Sequence, residues 1–477
     1  MKTFTFSPRL LLAVLLGLTA SACVTPGART PLRPVVDVAA LGVAGTTTPA
    51  PALNDAWWQA FGDPQLDALM TEALSASPTL ALARARVAQS EAAAESIGTP
   101  RRPNVDGVGS LTRQRYSATG LFPPPLSGTN FTDAQLGLSL NWDLDLWGRQ
   151  RSTLAAAQLR TRAAEVDATA ARLLLTTSLV KAYLAFDHAC HVRHTAESSR
   201  ASRAALLALT TDRRRAGLDT DVEVETARAA VSSAEGDIAL ADEEIVLARN
   251  AVAALAGAGP ARGASLGEPT ILAGAPLPLP ADLPADLVAR RPDIAADRLR
   301  IDAVGNEIDA ARAAFYPNVN IAALIGLDTI TPREILNGSS RFFNIGPAFN
   351  LPVYGHGALR GNLHGAEASY DQAVETYNGA VVGAFHEVAD ALASLRALDR
   401  EESAALAAQS SLERAFTLAE LRYKSGLANY LGVLVAQDRL LAQQRLVVDV
   451  QSRRADLTVD LVRALGGGYR SKTDSTE

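Results

Sequence analysis

The sequence predicts a mainly α-helical chain that also carries membrane-crossing β strands, laid out as a tandem duplication. Three observations lead there. Proline is absent from Arg149 through Gly259 and again from Val353 to the last residue, which leaves room for very long helices. Beyond one apolar run near the N-terminus, no stretch approaches the roughly 20 apolar residues a spanning helix needs, so any membrane crossing must use strands. Ser77 Pro78 and Pro103 Asn104 Val105 recur as Arg291 Pro292 and Pro317 Asn318 Val319 at one constant offset, the mark of an internal repeat.

At the N-terminus, Lys2 and Arg9 precede the apolar run Leu10 to Leu18, and small residues lead to Ala20 Ser21 Ala22 Cys23. This is the pattern of a secretory signal. Small residues before a cysteine resemble a bacterial lipobox, although Ala20 stands where such sites usually carry Leu. The resemblance implies a diacylglycerol on Cys23, which becomes the first residue after cleavage. Each buried methylene of an acyl chain contributes about 0.8 kcal/mol, so two or more chains anchor stably. Val24 stands where lipoproteins kept at the inner membrane often carry Asp, which implies sorting to the outer membrane.

Composition narrows the classes. With 477 residues, 48% of them apolar, and a mean hydropathy of +0.07, the chain must bury a large area and is not a disordered segment. A formal charge of -6 and a pI near 5.7, with no long basic patch, argue against nucleic acid as a partner. With Cys23 given to lipid, only Cys190 remains, and no disulfide forms within one chain. Stability must come from packing.

Strands that cross lipid alternate apolar and polar residues. The clearest run sets Leu136, Leu138, Leu140, Trp142, Leu144 and Leu146 against Gln135, Gly137, Ser139, Asn141, Asp143 and Asp145. A second alternates Phe343, Ile345, Pro347, Phe349, Leu351 and Val353, and a third Val319, Ile321, Ala323, Ile325 and Leu327; Val105 to Thr112 is the weakest. The proline-free stretches show heptads. Leu159, Val166, Leu173 and Val180 recur with Ala163, Ala170, Thr177 and Leu184, and Val224, Val231, Ile238, Ile245 and Val252 with Ala227, Ala234, Ala241, Ala248 and Leu255. Alanine at the second seam position suits closely approaching helices. In the second half Val374, Val381 and Val388, then Val433, Leu440, Val447 and Leu461, repeat the pattern, with Arg454 interrupting it. Ala216 Gly217 Leu218 and Ser425 Gly426 Leu427 are matching helix reversals. The Gly-rich segments 355–361 and 466–468 lack a phosphate-loop context and read as a strand-to-helix transition and a helix end.

Four segments together resemble the TolC/OprM outer-membrane factor family, particularly its NodT-type efflux lipoproteins, across essentially the whole mature chain. They are Trp57 Trp58 Gln59 Ala60 Phe61 Gly62 Asp63 Pro64 Gln65 Leu66, Arg290 Arg291 Pro292 Asp293 Ile294, Phe315 Tyr316 Pro317 Asn318, and Leu421 Arg422 Tyr423 Lys424 Ser425 Gly426. The resemblance implies a homotrimer in which four strands per chain close one twelve-stranded membrane β-barrel, continued by a long α-helical coiled-coil periplasmic tube. The layout expected is a signal peptide at 1–22, a lipidated arm at 23–50, a first repeat at 51–256, a linker at 257–284, a second repeat at 285–466 and a tail at 467–477. Strands are expected at about 104–112, 133–147, 318–328 and 342–354, and long helices at about 149–215, 221–256, 358–425 and 429–466.

As function, the resemblance implies the outer-membrane channel of a tripartite export system in a Gram-negative bacterium. It would passively conduct what an inner-membrane pump, of the proton-driven resistance-nodulation-division type, delivers through a periplasmic adaptor. A periplasmic adaptor or a structural coiled-coil lipoprotein are the alternatives, but the first carries a single hairpin and the second no strands. No enzyme is expected, because no nucleophile, base and orienting group stand together, and no cofactor beyond the lipid. Asp187, His188, Cys190, His191 and His194 cannot all converge from one helix and read as a polar patch, not a metal site. On the inferred barrel interior stand Asn141, Asp143 and Asp145. At the periplasmic end, relatives commonly place an aspartate where Gly432 or Val435 stands here, so closure is expected from Glu223 bonded to Tyr423, with Arg422 and Val435 beside them.

Overall fold

A computed structural model describes residues 32–36, 53–271, 290–352 and 356–469. The signal peptide and Cys23 lie outside the described residues. Helices α1 (Pro64–Ala76) and α2 (Pro78–Gly98) lead into strands β1 (Asn104–Arg115) and β2 (Asn130–Asp143), followed by α3 (Arg149–Arg215), α4 (Asp221–Leu255) and the short α5 (Pro260–Ala264). The second half runs α6 (Pro292–Ala313), β3 (Asn318–Thr329), β4 (Arg341–Asn350), α7 (Gly357–Lys424) and α8 (Tyr430–Ala464). At 1.5 Å per residue, the 67-residue α3 is on the order of 100 Å long.

The chain forms two compact units, and neither is one of the sequence repeats. One gathers Val87–Ala164 and Asp297–Tyr377; the other gathers Glu165–Ala296 and the chain from Asn378 onward, with 36–86. Each unit therefore draws on both halves.

In the first unit the four strands form one antiparallel sheet in the order β1-β2-β3-β4. Period-2 alternation and this register sort the side chains by face. Leu138 lies opposite Gly107 and Ile325, and Ile325 opposite Phe343, so Leu136, Leu138 and Leu140 share a face with Ile321, Ile325, Leu327, Phe343, Ile345 and Phe349. The other face carries Asp106, Ser139, Asn141, Asp143, Asn320, Asn344 and Asn350.

Strand β2 ends at Asp143, four residues before the expected position, and Asp145 belongs to no strand. Asp145 has a left-handed φ of 48° and turns its carboxylate onto α3, accepting the N–H groups of Gln150 and Arg151 at 2.8 Å each. A carboxylate satisfying orphan N–H groups at a helix start is worth more there than on a strand. Its place on the barrel interior is thereby corrected. Strand β4 ends at Asn350, and residues 353–355 lie outside the described residues.

The second unit is built on a core where Trp57, Trp58, Phe61, Leu66, Leu69 and Met70 meet Leu179, Tyr183 and Phe186 of α3, Val252 of α4 and Val459 and Val462 of α8. Asp63 caps α1 through Gln65 N–H at 2.8 Å and accepts the Tyr183 hydroxyl and the Thr270 N–H at 2.7 Å each. Burial opposes its charge, yet the hydrogen bonds from Thr270, Tyr183 and Gln65 hold the carboxyl below its ordinary value. The heptad positions Val224, Ala227, Ala234, Ala241, Ile245 and Val252 are buried, as are Val433, Leu440, Val447 and Leu461. Arg454 is accommodated in its seam by Asp399 at 2.9 Å and Glu402 at 2.6 Å, both on α7.

Arg291 explains the Arg290 to Ile294 segment. Its half-buried guanidinium binds Asp293 and Glu387 at 2.7 Å each, joining the start of α6 to α7. Helix α8 closes on Gly466 and Gly467, whose φ angles of 84° and 59° are left-handed. A Cβ at Gly466 would stand 1.9 Å from the Arg290 carbonyl oxygen.

Gly466→Ala combines the left-handed backbone penalty of roughly 1 kcal/mol with that collision, and is expected to lower the heat-unfolding midpoint of the purified protein and its yield in membranes. The pH dependence of the Arg291 cluster has a defined sign. Burial works against the Asp293 charge and the Arg291 guanidinium outweighs it, leaving the carboxyl below its ordinary value. The stabilisation is complete above the unfolded-state value, about 4, and is lost as pH falls through the lower folded value. Heat unfolding followed by circular dichroism below about pH 4 should therefore show a shallower acid dependence in Asp293→Asn than in wild type.

Candidate functional site

Two places in the chain have surfaces or contacts that packing alone does not account for. The first is the apolar face of the sheet. Leu138 is 53% exposed and Phe343 78% exposed, and with Ile325 and Ile345 they make a continuous greasy surface on a sheet whose reverse is polar. Such an area is unstable in water and requires lipid or protein against it. Of the polar-face residues singled out from sequence, Asn141 is exposed, while Asp143 accepts from Gln150 Nε2 at 2.6 Å and Arg149 at 3.3 Å at the foot of β2. Beside that foot, Trp147 stacks on Tyr316 at 4.8 Å and donates its indole N–H to the Pro317 carbonyl.

The second place is the pair of helix reversals in the second unit. Gly217 and Gly426 have φ of 72° and 74°. At each, the glycine N–H bonds back three residues and the following leucine N–H five, Gly217 to Arg214 and Leu218 to Arg213, Gly426 to Tyr423 and Leu427 to Arg422. This double bond pattern ends a helix in a left-handed glycine. The next helix then opens on a side-chain cap, Thr220 for α4 and Asn429 for α8.

Between the reversals lies a buried polar network. Tyr423, fully buried, donates its hydroxyl to Asp219 and lies 3.2 Å from Thr210 Oγ1. Arg213 binds Asp219 through Nε at 3.0 Å, donates to the Tyr423 carbonyl at 3.0 Å, and lays its guanidinium 4.5 Å from the centre of the Tyr423 ring. Burial first, and the Asp219 carboxylate second, push the Tyr423 hydroxyl up to about 12, so it stays a donor at every physiological pH. Tyr430 packs 5.9 Å away from the same ring.

The expected Glu223–Tyr423 bond is replaced within the chain by Asp219–Tyr423. Glu223, half-buried, accepts the Thr220 N–H at 2.9 Å and the Thr220 hydroxyl, and so closes the capping box of α4. The signal was present in the sequence: Thr220 followed three residues later by Glu223 is the capping-box spacing. Asp219 and Arg213 were missed because nothing local ties them to a tyrosine 204 and 210 residues further on. Arg422 and Val435 are exposed and take no part in this network.

The histidines of α3 each face a carboxylate, His188 with Asp449 at 2.9 Å, His191 with Asp187 at 3.6 Å and His194 with Glu268 at 3.4 Å. Cys190 is buried, and burial pushes its thiol up to about 11. Among the described residues no group of three or more His, Cys, Asp or Glu is placed to hold a metal ion.

A sheet apolar on one face and polar on the other, joined to helices far longer than globular ones, defines a membrane-inserted channel subunit. The chain belongs to the outer membrane efflux protein family, whose profile matches residues 69–258 and 283–467, one segment in each half. It is similar to the multidrug resistance outer membrane protein MdtP of Shigella flexneri, 33% identical over 425 residues that cover 87% of this chain and 86% of that protein. The outer membrane protein OprJ of Pseudomonas aeruginosa is 32% identical over 464 residues, 96% and 95% of the two chains. Among solved structures, VceC of Vibrio cholerae superposes with a TM-score of 0.82 at 36% identity, covering 87% of this chain and 99% of that one. The chain is therefore an outer-membrane efflux channel of the kind that serves tripartite systems, and not an enzyme. The adaptor and structural-lipoprotein alternatives fall with that assignment.

Removing Asp219 leaves the Arg213 cation and the Tyr423 hydroxyl buried without their partner, a loss of roughly 1.5 to 3 kcal/mol per chain. Asp219→Ala and Tyr423→Phe are expected to raise the fraction of time spent open in single-channel recordings, whereas Glu223→Gln, confined to its own helix start, should leave it at the wild-type level.

Proposed function

We propose that three copies of the chain close a twelve-stranded barrel in the outer membrane and that this duct discharges small, chemically varied toxic compounds delivered by an inner-membrane pump. The supporting observation is the open sheet: β1 and β4 each have one bare edge, and a bare edge in lipid leaves backbone N–H and C=O groups without partners at several kcal/mol each. Pairing β4 of one copy with β1 of the next removes every edge. The polar face with Asn141 and Asp143 then lines the lumen, and the apolar face meets lipid. Substrate breadth is suggested by the name of MdtP, a multidrug resistance protein.

Partners follow from the reversals. Leu218 and Leu427 are 64% and 73% exposed, and Val222 and Leu431 are exposed beside them. These four apolar residues occupy matching positions in the two hairpins and form the surface for a periplasmic adaptor, which in turn joins a proton-driven pump of the resistance-nodulation-division type. The pump supplies the energy, so the channel needs no cofactor. The buried Arg213–Asp219–Tyr423 network holds the hairpins of one chain together at the closed end; Arg422 and Val435 stand on its exposed side, where a neighbouring copy reaches them. Diacylglycerol on Cys23 supplements the barrel as an anchor.

In mild detergent the protein is expected to run as a trimer and to conduct ions in a planar bilayer. A monodisperse monomer that is silent in the bilayer refutes the architecture. Leu138→Arg should block assembly, at a cost of about 2 to 4 kcal/mol for a cation near the bilayer midplane, while Asn141→Arg should assemble and change ion selectivity. Labelled palmitate should mark wild type and not Cys23→Ser, and that variant should still form trimers.

A further inference from the structure

Helix α8 carries Asp438, Asp449 and Asp460 at an 11-residue spacing. Eleven residues complete three turns of an α-helix almost without drift, so the three carboxylates lie in one straight row. Each meets a base on α3. Asp460 binds Lys181 at 2.9 Å, Asp449 binds His188 at 2.9 Å, and Asp438 binds Arg203 at 3.2 Å. Lys181 and Arg203 are 22 residues apart, as are Asp438 and Asp460, so the helices run antiparallel with the two outer pairs in register, while His188 reaches Asp449 one turn out of that register; the three pairs, as rungs, link the two sequence repeats.

The packing changes along the ladder. At the Lys181 rung α3 and α8 share an apolar core, with Leu179, Val180 and Leu184 against Val459 and Val462. At the Arg203 rung a cavity of about 180 Å³ opens, lined by Ser199, Arg203, Asp237, Asp438 and Arg445. Beyond the cavity the seam closes again, with Leu206 of α3 in one buried cluster with Tyr430 and Val433 of α8, so the His188 rung sits between a packed core and the cavity.

We propose that His188 is a pH-dependent clasp that sets how far α8 is zipped onto α3. The outer rungs carry a charge on both sides at any physiological pH; the middle one does so only when the imidazole is protonated. The surroundings of His188 are acidic. Asp187 precedes it on α3, Asp449 and Asp456 face it from α8, and Asp460 lies one turn beyond, with Lys181 as the neighbouring cation; His191 leans on Asp187, and Arg193 faces away to Asp242 of α4. Neutral His188 leaves these carboxylates repelling one another across the seam. Protonated His188 offsets them and turns a neutral hydrogen bond into a charged one. Acidification closes the clasp and alkalinisation loosens it toward the cavity.

Hydrogen exchange of the full chain, assembled in mild detergent, reads the seam directly. Peptides spanning 184–195 and 445–456 are followed at about pH 5.5 and about pH 8, with rates corrected for intrinsic pH dependence. For a partly exposed pair the seam should open about twofold to fivefold less often at the acid pH. His188→Gln should abolish that difference, and His188→Arg should keep slow exchange at both pH values. Peptides at the Lys181–Asp460 rung should not respond in any variant. Equal corrected exchange at both pH values in wild type overturns the clasp, as does a pH difference that survives in His188→Gln.

Discussion

A backbone that leaves water must find every hydrogen bond within protein. The four strands of this chain satisfy one another at three interfaces and stop, with one apolar face, one polar face and two free edges. The rest of the design answers that constraint. The two hairpins come from different halves of the sequence, so the sheet forms only when the repeats meet. Helices of 67 and 68 residues follow β2 and β4 in the chain and end at the helix reversals.

The duplication repeats the local solutions faithfully and the long-range ones selectively. Both reversals use a left-handed glycine followed by leucine, and both following helices open on a polar cap, Thr220 or Asn429. The buried network is not repeated. Arg213 and Arg422 occupy matching positions, but Asp219 corresponds to Ala428, so the second hairpin has no carboxylate at that place, and Tyr423 crosses from the second hairpin to share Asp219 with Arg213. Local caps can be copied along with the segment that contains them. A contact between hairpins needs a different residue from each.

The second unit combines thin apolar seams with charged crosslinks. Alanine at Ala227, Ala234 and Ala241 brings helices close but buries little area per residue, so each seam position contributes less than a leucine would. Ion pairs between helices recur along the same surfaces, including Arg454 with Asp399 and Glu402, Arg445 with Asp237 and the α3–α8 rungs. Individually such exposed pairs contribute little; as a series they fix the register of long helices that could otherwise slide.

The sequence by itself determined what depends on period and on neighbours in the chain. Alternation at Leu136, Leu138 and Leu140 marked a two-faced strand because side chains alternate every residue, heptads marked the seams, and glycine before leucine marked both reversals. The internal offset revealed two halves, and motifs such as Trp57 to Leu66 placed the chain in its family. Only the tertiary structure decided which polar residue serves which partner. It moved Asp145 from the strand to the cap of α3, gave Tyr423 to Asp219 and left Glu223 to cap its own helix, and filled the gap at Arg454 from α7. A hydrogen bond or ion pair depends on the approach of groups within about 3 to 4 Å, and in long antiparallel helices residues more than 200 positions apart meet at that distance while near neighbours on opposite faces never do.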